Sequence, residues 1–159
     1  TPVPPPNPGL AIAEGLRAWD ASAVRQVIEF RGEVTVVVPR EHLRRVCTFL
    51  QSEPGLEFNF LSDLSVMDRF PIEPRFDVNY HLLSITTRQT VRVRVRLEGG
   101  DAQVESVTGI WPTAEWHERE VFDLFGVRFT GHPDLRRIMM PEDWEGHPLR
   151  KDYPVEGFR

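Results

Sequence analysis

The chain has 159 residues, 40% hydrophobic and 27% charged, a balance that suits one globular domain with a buried core. Its net charge of −5 argues against a general nucleic-acid binder. No apolar run is long enough to span a bilayer, no signal peptide is expected, and the single Cys47 excludes an intrachain disulfide or a self-sufficient iron–sulfur site.

Residues 1–9 are proline-rich and read as a flexible leader, ahead of an α+β domain over 10–129 and a tail over 130–159. Leu10, Ala13, Leu16 and Ala18, with Trp19, predict a short amphipathic helix over 9–21. Strands at 24–30 and 34–38 bracket Arg31-Gly32-Glu33 as a hairpin. Helical spacing resumes over 39–52 through Leu43, Val46, Cys47 and Leu50, where Cys47 reads as a buried structural thiol.

Three longer strands follow at 56–68, 75–86 and 90–98. In the last, Val91, Val93, Val95 and Leu97 alternate with Arg92, Arg94 and Arg96, as in a sheet covered on one side. No aromatics interleave those arginines to stack bases, so they read as a solvated face or a seat for an acidic protein partner. Gly99-Gly100-Asp101 turns the chain toward a helix over 112–125, with Pro112 in its first turn and Gly126 as its left-handed stop. The expected fold is a two-layer α+β sandwich, a mixed sheet with helices packed on one face, plus an extended irregular C-terminal tail.

That last helix carries charge where apolar residues belong. On a helical wheel Trp111, Ala114, Val121, Phe122 and Phe125 cluster about Glu118. A buried carboxylate needs a partner, and an arginine from the tail (Arg136, Arg137 or Arg150) is the expected one. Glu115, Arg119 and Asp123 form a ladder at i, i+4 steps beside it, with Glu120 on the opposite side, and Asp123 lies where the helix dipole disfavours it.

The tail shows neither helical nor strand periodicity, yet it holds Leu135, Ile138, Met139, Met140, Trp144, Leu149 and Tyr153. These are interface residue types, so it reads as a strap that docks on something. His132-Pro133 and His147-Pro148 read as devices that direct the chain. A metal or enzymatic reading would draw on His117, Glu120 and the tail histidines, but His117-Glu118-Arg119-Glu120 lacks the H-E-x-x-H spacing of a zinc site. No P-loop, dinucleotide fingerprint or nucleophile elbow is present.

Three segments carry a resemblance to a known family. They are W-H-E-R-E-V-F-D-L-F-G from Trp116 to Gly126, G-H-P-D-L-R-R-I from Gly131 to Ile138, and W-E-G-H-P-L-R-K-D-Y-P from Trp144 to Pro154. Together they closely resemble the thirty-kilodalton subunit family of proton-translocating NADH–quinone oxidoreductase (respiratory complex I). The likeness is dense over 106–154 and weaker over 58–86, where L-S-D-L-S-V-M-D and V-N-Y-H-L-L-S also match. The proline-rich leader does not share it.

The resemblance implies a subunit with no redox cofactor and no active site of its own, on the cytoplasmic face of the membrane. It implies a hetero-oligomeric place in the hydrophilic arm, against the hydrogenase-like subunit that helps form the quinone cavity and near the iron–sulfur subunits. NADH, FMN, iron–sulfur clusters and quinone would then belong to the assembled complex. The expected partner-facing residues are His132, Pro133, Asp134, Leu135, Arg136, Arg137, Trp144, His147, Pro148, Leu149, Arg150, Lys151, Asp152 and Tyr153. Because the chain ends soon after the last motif, it reads as unfused to the hydrogenase-like partner.

Overall fold

The computed structural model describes residues 7–154. The leader expected over 1–9 therefore lies largely outside the described residues, but its last three residues do not. Asn7 caps α1 (Pro8–Trp19) by accepting a hydrogen bond from the Gly9 amide, and Pro8 fills the first helical turn, where its missing N–H costs nothing. Ile12, Ala13 and Leu16 form the buried stripe of α1, whereas Leu10 and Ala18, expected inside, are exposed. Gly9 is required by proximity: a Cβ there would stand 2.6 Å from the Val34 side chain.

The hairpin forms as expected, from β1 (Gln26–Phe30) and β2 (Glu33–Val37), and α2 (Leu43–Ser52) buries Leu43, Val46, Cys47 and Leu50. The long strands are β3 (Phe60–Asp68), β4 (Phe76–Ser84) and β5 (Gln89–Leu97). They join the hairpin in one five-stranded sheet of order β1-β2-β5-β4-β3, antiparallel except where β5 runs parallel to β2.

Register explains the two faces. Phe76, Val78, Tyr80 and Leu82 of β4 lie opposite Leu97, Val95, Val93 and Val91 of β5, and this face meets the buried sides of α1 and α2 in one core. The alternate residues, Asp77, Asn79 and His81 opposite Arg96, Arg94 and Arg92, make the other face polar. The expected two-layer α+β arrangement is the one observed.

One piece has no counterpart among the predicted elements. β6 (Gln103–Glu105) and β7 (Arg128–Thr130) form a separate two-stranded parallel sheet flanking α3 (Ala114–Phe125) in the chain. Strands of three residues are too short to show a period of two, so pattern could not reveal them. They bring residues 106–108 alongside α3, since the Ser106 amide continues the pairing by donating to the Thr130 carbonyl at 2.8 Å.

Trp111 locks the loop before α3 to the start of β3. It is 2% exposed, and its indole N–H donates to the Phe58 carbonyl at 2.9 Å. Trp111→Phe removes that donor and part of the packing, and should lower stability by about 2 kcal/mol. Denaturant unfolding checks this; a midpoint like that of the wild type would mean the indole bond adds nothing.

Candidate functional site

The surface of α3 and the tail that crosses it form the candidate interaction site. Glu118 is fully buried, so the interior placement read from the wheel is correct. Its partner is not the expected arginine. Ser106 Oγ donates to Oε1 at 2.6 Å and the Val107 amide donates to Oε2 at 2.9 Å, both supplied by the segment after β6. Neutral donors satisfy the carboxyl without a counter-charge. Burial therefore dominates and pushes its pKa up to about 7, only partly offset by those two bonds. Tyr80 and Cys47 lie in the same interior, and burial, then the charge of Glu118, raises both well above their ordinary range.

The tail arginine goes to Asp123 instead. Arg137 donates to Oδ1 at 2.7 Å, and the consecutive amides of Ile138, Met139 and Met140 donate to Oδ2 at 3.1, 2.7 and 2.9 Å. Burial works to raise this carboxyl, but the three amides and Arg137 outweigh it and hold its pKa below the usual carboxylate range. The ladder is consequently cut short. Arg119 reaches Glu115 at 2.8 Å as expected, but it then turns to Asp134 at 3.0 Å rather than to Asp123.

Further contacts seat the rest of the tail. His132 Nε2 lies 3.0 Å from the Glu115 carbonyl, while its Nδ1 accepts from the Asp134 amide at 2.9 Å. His147 Nδ1 donates to the Asp123 carbonyl at 2.9 Å, and Arg150 Nε to the Phe125 carbonyl at 2.5 Å. Leu135 packs against the core, and Arg136 pairs with Asp134 at 3.1 Å. Gly126 is needed at the crossing. Its φ of 80° is left-handed, and a Cβ would stand 2.5 Å from the Arg150 guanidinium and 2.6 Å from the His147 ring.

A second anchor joins residues far apart in sequence. Buried Arg75 donates from Nε and Nη2 to the two oxygens of Asp68, each at 2.8 Å, and from Nη2 to Asp152 at 2.6 Å. The Lys151 amide donates to Asp68 at 2.8 Å. Although burial opposes it, Arg75 and the amides of Lys151 and Phe70 hold the Asp68 carboxyl at about 2. Neither Asp68 nor Arg75 was anticipated as a site residue; Asp68 ends the family-like L-S-D-L-S-V-M-D, and Arg75 lies outside both of the weaker motifs.

Arg137, His132, His147, Arg150 and Asp152 of the tail thus spend polar groups on the body. Met139, Trp144 and Leu149 stay exposed at 57%, 39% and 52%, and Trp116 of α3 at 59%. Pro133, Pro148 and Tyr153 carry no charge of their own; Pro133 is exposed and the other two are half-buried. The histidines do not converge. His132 and His147 meet backbone carbonyls near opposite ends of α3, and among the described residues no three His, Cys, Asp or Glu side chains gather as a metal site. Glu120 is half-buried on α3.

Residues 36–159 match the family described as "Respiratory-chain NADH dehydrogenase, 30 Kd subunit". The chain is 50% identical over 144 residues to an NADH-quinone oxidoreductase subunit of Roseiflexus sp. (strain RS-1), covering 91% of this chain and 83% of that one. It is 47% identical over 142 residues to the equivalent subunit of Geotalea uraniireducens (strain Rf4), covering 89% and 85%. A solved structure of Nqo5, as a trypsin-resistant fragment, superposes with a TM-score of 0.69 at 32% identity, over 78% of this chain and 98% of that one. A chain of an archaeal membrane-bound sulfane sulfur reductase shares the fold, with a TM-score of 0.77 at 24% identity, over 93% of this chain and 86% of that one.

The raised carboxyl of Glu118 gives a pH signature. The folded state holds its proton from about pH 4.5 to 7, where the unfolded chain releases it, so this contribution is full below 4.5 and lost as pH rises through 7. The loss should be on the order of 3 kcal/mol. Glu118→Gln removes the charge, its amide oxygen accepting from the Val107 amide while its NH2 donates to Ser106 Oγ, and should flatten this decline when unfolding is followed from pH 4.5 to 8. Parallel pH profiles for variant and wild type would show that Glu118 is not desolvated as described.

Proposed function

Because the chain belongs to the 30 Kd subunit family of respiratory-chain NADH dehydrogenase, we propose that it is a non-redox scaffold in the hydrophilic arm of a NADH–quinone oxidoreductase. On this reading it holds the quinone-site and iron–sulfur subunits in place while electron transfer from NADH to quinone drives proton translocation. The observation that carries the reading is the two-sidedness of the tail. Asp123 and Asp68 pin it to the body through polar contacts, leaving Met139, Trp144 and Leu149 exposed. Large apolar side chains held outward on a rigid support are the anchors of protein interfaces.

The hydrogenase-like subunit and the iron–sulfur subunits are the proposed partners, and the chain adds no catalytic group of its own. NADH, FMN, the clusters and the quinone are held elsewhere in the assembly. No helix among the described residues is long and apolar enough to cross a membrane. The proposed place is peripheral, reached through the complex, on the cytoplasmic face of the cell membrane.

The test is a tagged pull-down from gently solubilised native membranes, comparing the full chain with one ending at Thr130. Removing the tail also strips donors from Asp123 and Asp68, so Trp144→Ala is the companion variant, changing an exposed group that should leave the fold intact. Recovery of the quinone-site and iron–sulfur subunits should fail with the truncation and weaken by about 2 kcal/mol or more with Trp144→Ala. Full recovery with both would place the dock on the body; no redox subunit recovered with the full chain would refute the scaffold reading.

A further inference from the structure

The sheet face turned away from the helices holds an unusual charge arrangement. Arg69, Arg94 and Arg96 approach a single carboxylate, Asp77, at 3.8, 3.9 and 3.5 Å. None of these contacts is a hydrogen bond, and Asp77 Oδ1 is buried without one. Three cations share one anion, so this cluster is positive on a chain whose net charge is −5.

The guanidiniums are also held in place. Arg94 Nε donates to Asn79 at 2.8 Å, Arg96 reaches Gln26 at 3.5 Å, and Arg92 pairs with Glu33 at 3.1 Å. Side chains of the three arginines around Asp77 are 16% to 32% exposed, so they form a fixed floor rather than a waving fringe. Apolar groups border the charge on the same face: Phe30 of β1 is 64% exposed, and Met67 of β3 is 56% exposed.

From this we infer that the open sheet face seats an acidic protein segment of a neighbouring subunit. Its carboxylates complete the coordination of Arg69, Arg94 and Arg96, and its apolar side chains cover Phe30 and Met67. The inference rests on the proposed place in a multi-subunit complex and adds a second docking surface, distinct from the tail. Charge complementarity selects the partner: preorganised guanidinium forks favour planar carboxylates, and their excess charge repels a basic segment. A nucleic-acid strand fits less well, because β5 carries no aromatic between its arginines on which a base could stack.

Photo-cross-linking in the assembled complex tests this. A benzophenone side chain is introduced at Gln26 or at Met67, on either side of the arginines, and native membranes carrying the tagged chain are irradiated. Mass spectrometry of the adduct should identify a protein segment rich in Asp and Glu. The pair Arg69→Gln and Arg96→Gln should reduce adduct yield about tenfold while the fold is retained. If those substitutions unfold the chain, the identity of the wild-type adduct still decides. A neutral or basic segment, a lipid or nucleic-acid adduct, or no adduct in a chain that co-purifies with the complex overturns the inference. A chain that never co-purifies overturns both this and the scaffold reading.

Discussion

A carboxylate near the C-terminal end of a helix is opposed by the helix dipole, and one without solvent contact needs donors for both oxygens. Asp123 meets both difficulties with the tail. Arg137 and three consecutive amides converge on it, and the Asp123 carbonyl receives His147 from further along the same segment. One buried group thereby fixes the path of residues 137–147, a stretch with no secondary structure of its own. The Asp68–Arg75 pair does the same for Lys151 and Asp152. With both ends held, the exposed Trp144 and Leu149 have a defined place on the surface.

Glu118 and Asp123 show how partner type sets charge state on one helix. Both are buried, yet Glu118 receives a hydroxyl and a single amide, whereas Asp123 receives a guanidinium and three amides. Desolvation wins at the first, raising its pKa, and loses at the second, lowering it. Glu118 accordingly serves the interior by tying the segment after β6 to α3, while Asp123 serves the surface by organising the tail. The polar face of the sheet follows a third pattern, in which Asp77 lies among arginines that outnumber it.

Much of this was legible in the residues. Alternation in β5 and spacing in α2 marked the core, and Gly126 marked the stop of α3. The charges on the apolar stripe of that helix correctly signalled a buried carboxylate and a role for a tail arginine. The pairing was misassigned because a helical wheel ranks neighbours on its own element and knows nothing of the strand pair that delivers Ser106 and Val107 to Glu118. Those strands are too short to register as a pattern. The Asp68–Arg75–Asp152 anchor joins three distant segments, and pairing across such separations leaves no local trace. The start of α1 was found to within one residue, Pro8 reading as a breaker by composition and as a first-turn residue only once Asn7 is seen to cap it.

Asp123 holds the tail against the body within the chain itself, before any partner binds, and on this the rest of the account stands. Amide hydrogen exchange at Ile138, Met139 and Met140 in the isolated protein tests it most directly. These amides should exchange about a hundredfold or more slower than in an unstructured chain, and Asp123→Asn should return them toward the unprotected rate while the strands of the main sheet stay protected. Free exchange of all three in the wild-type chain would contradict the account, leaving the tail to be ordered by partners alone.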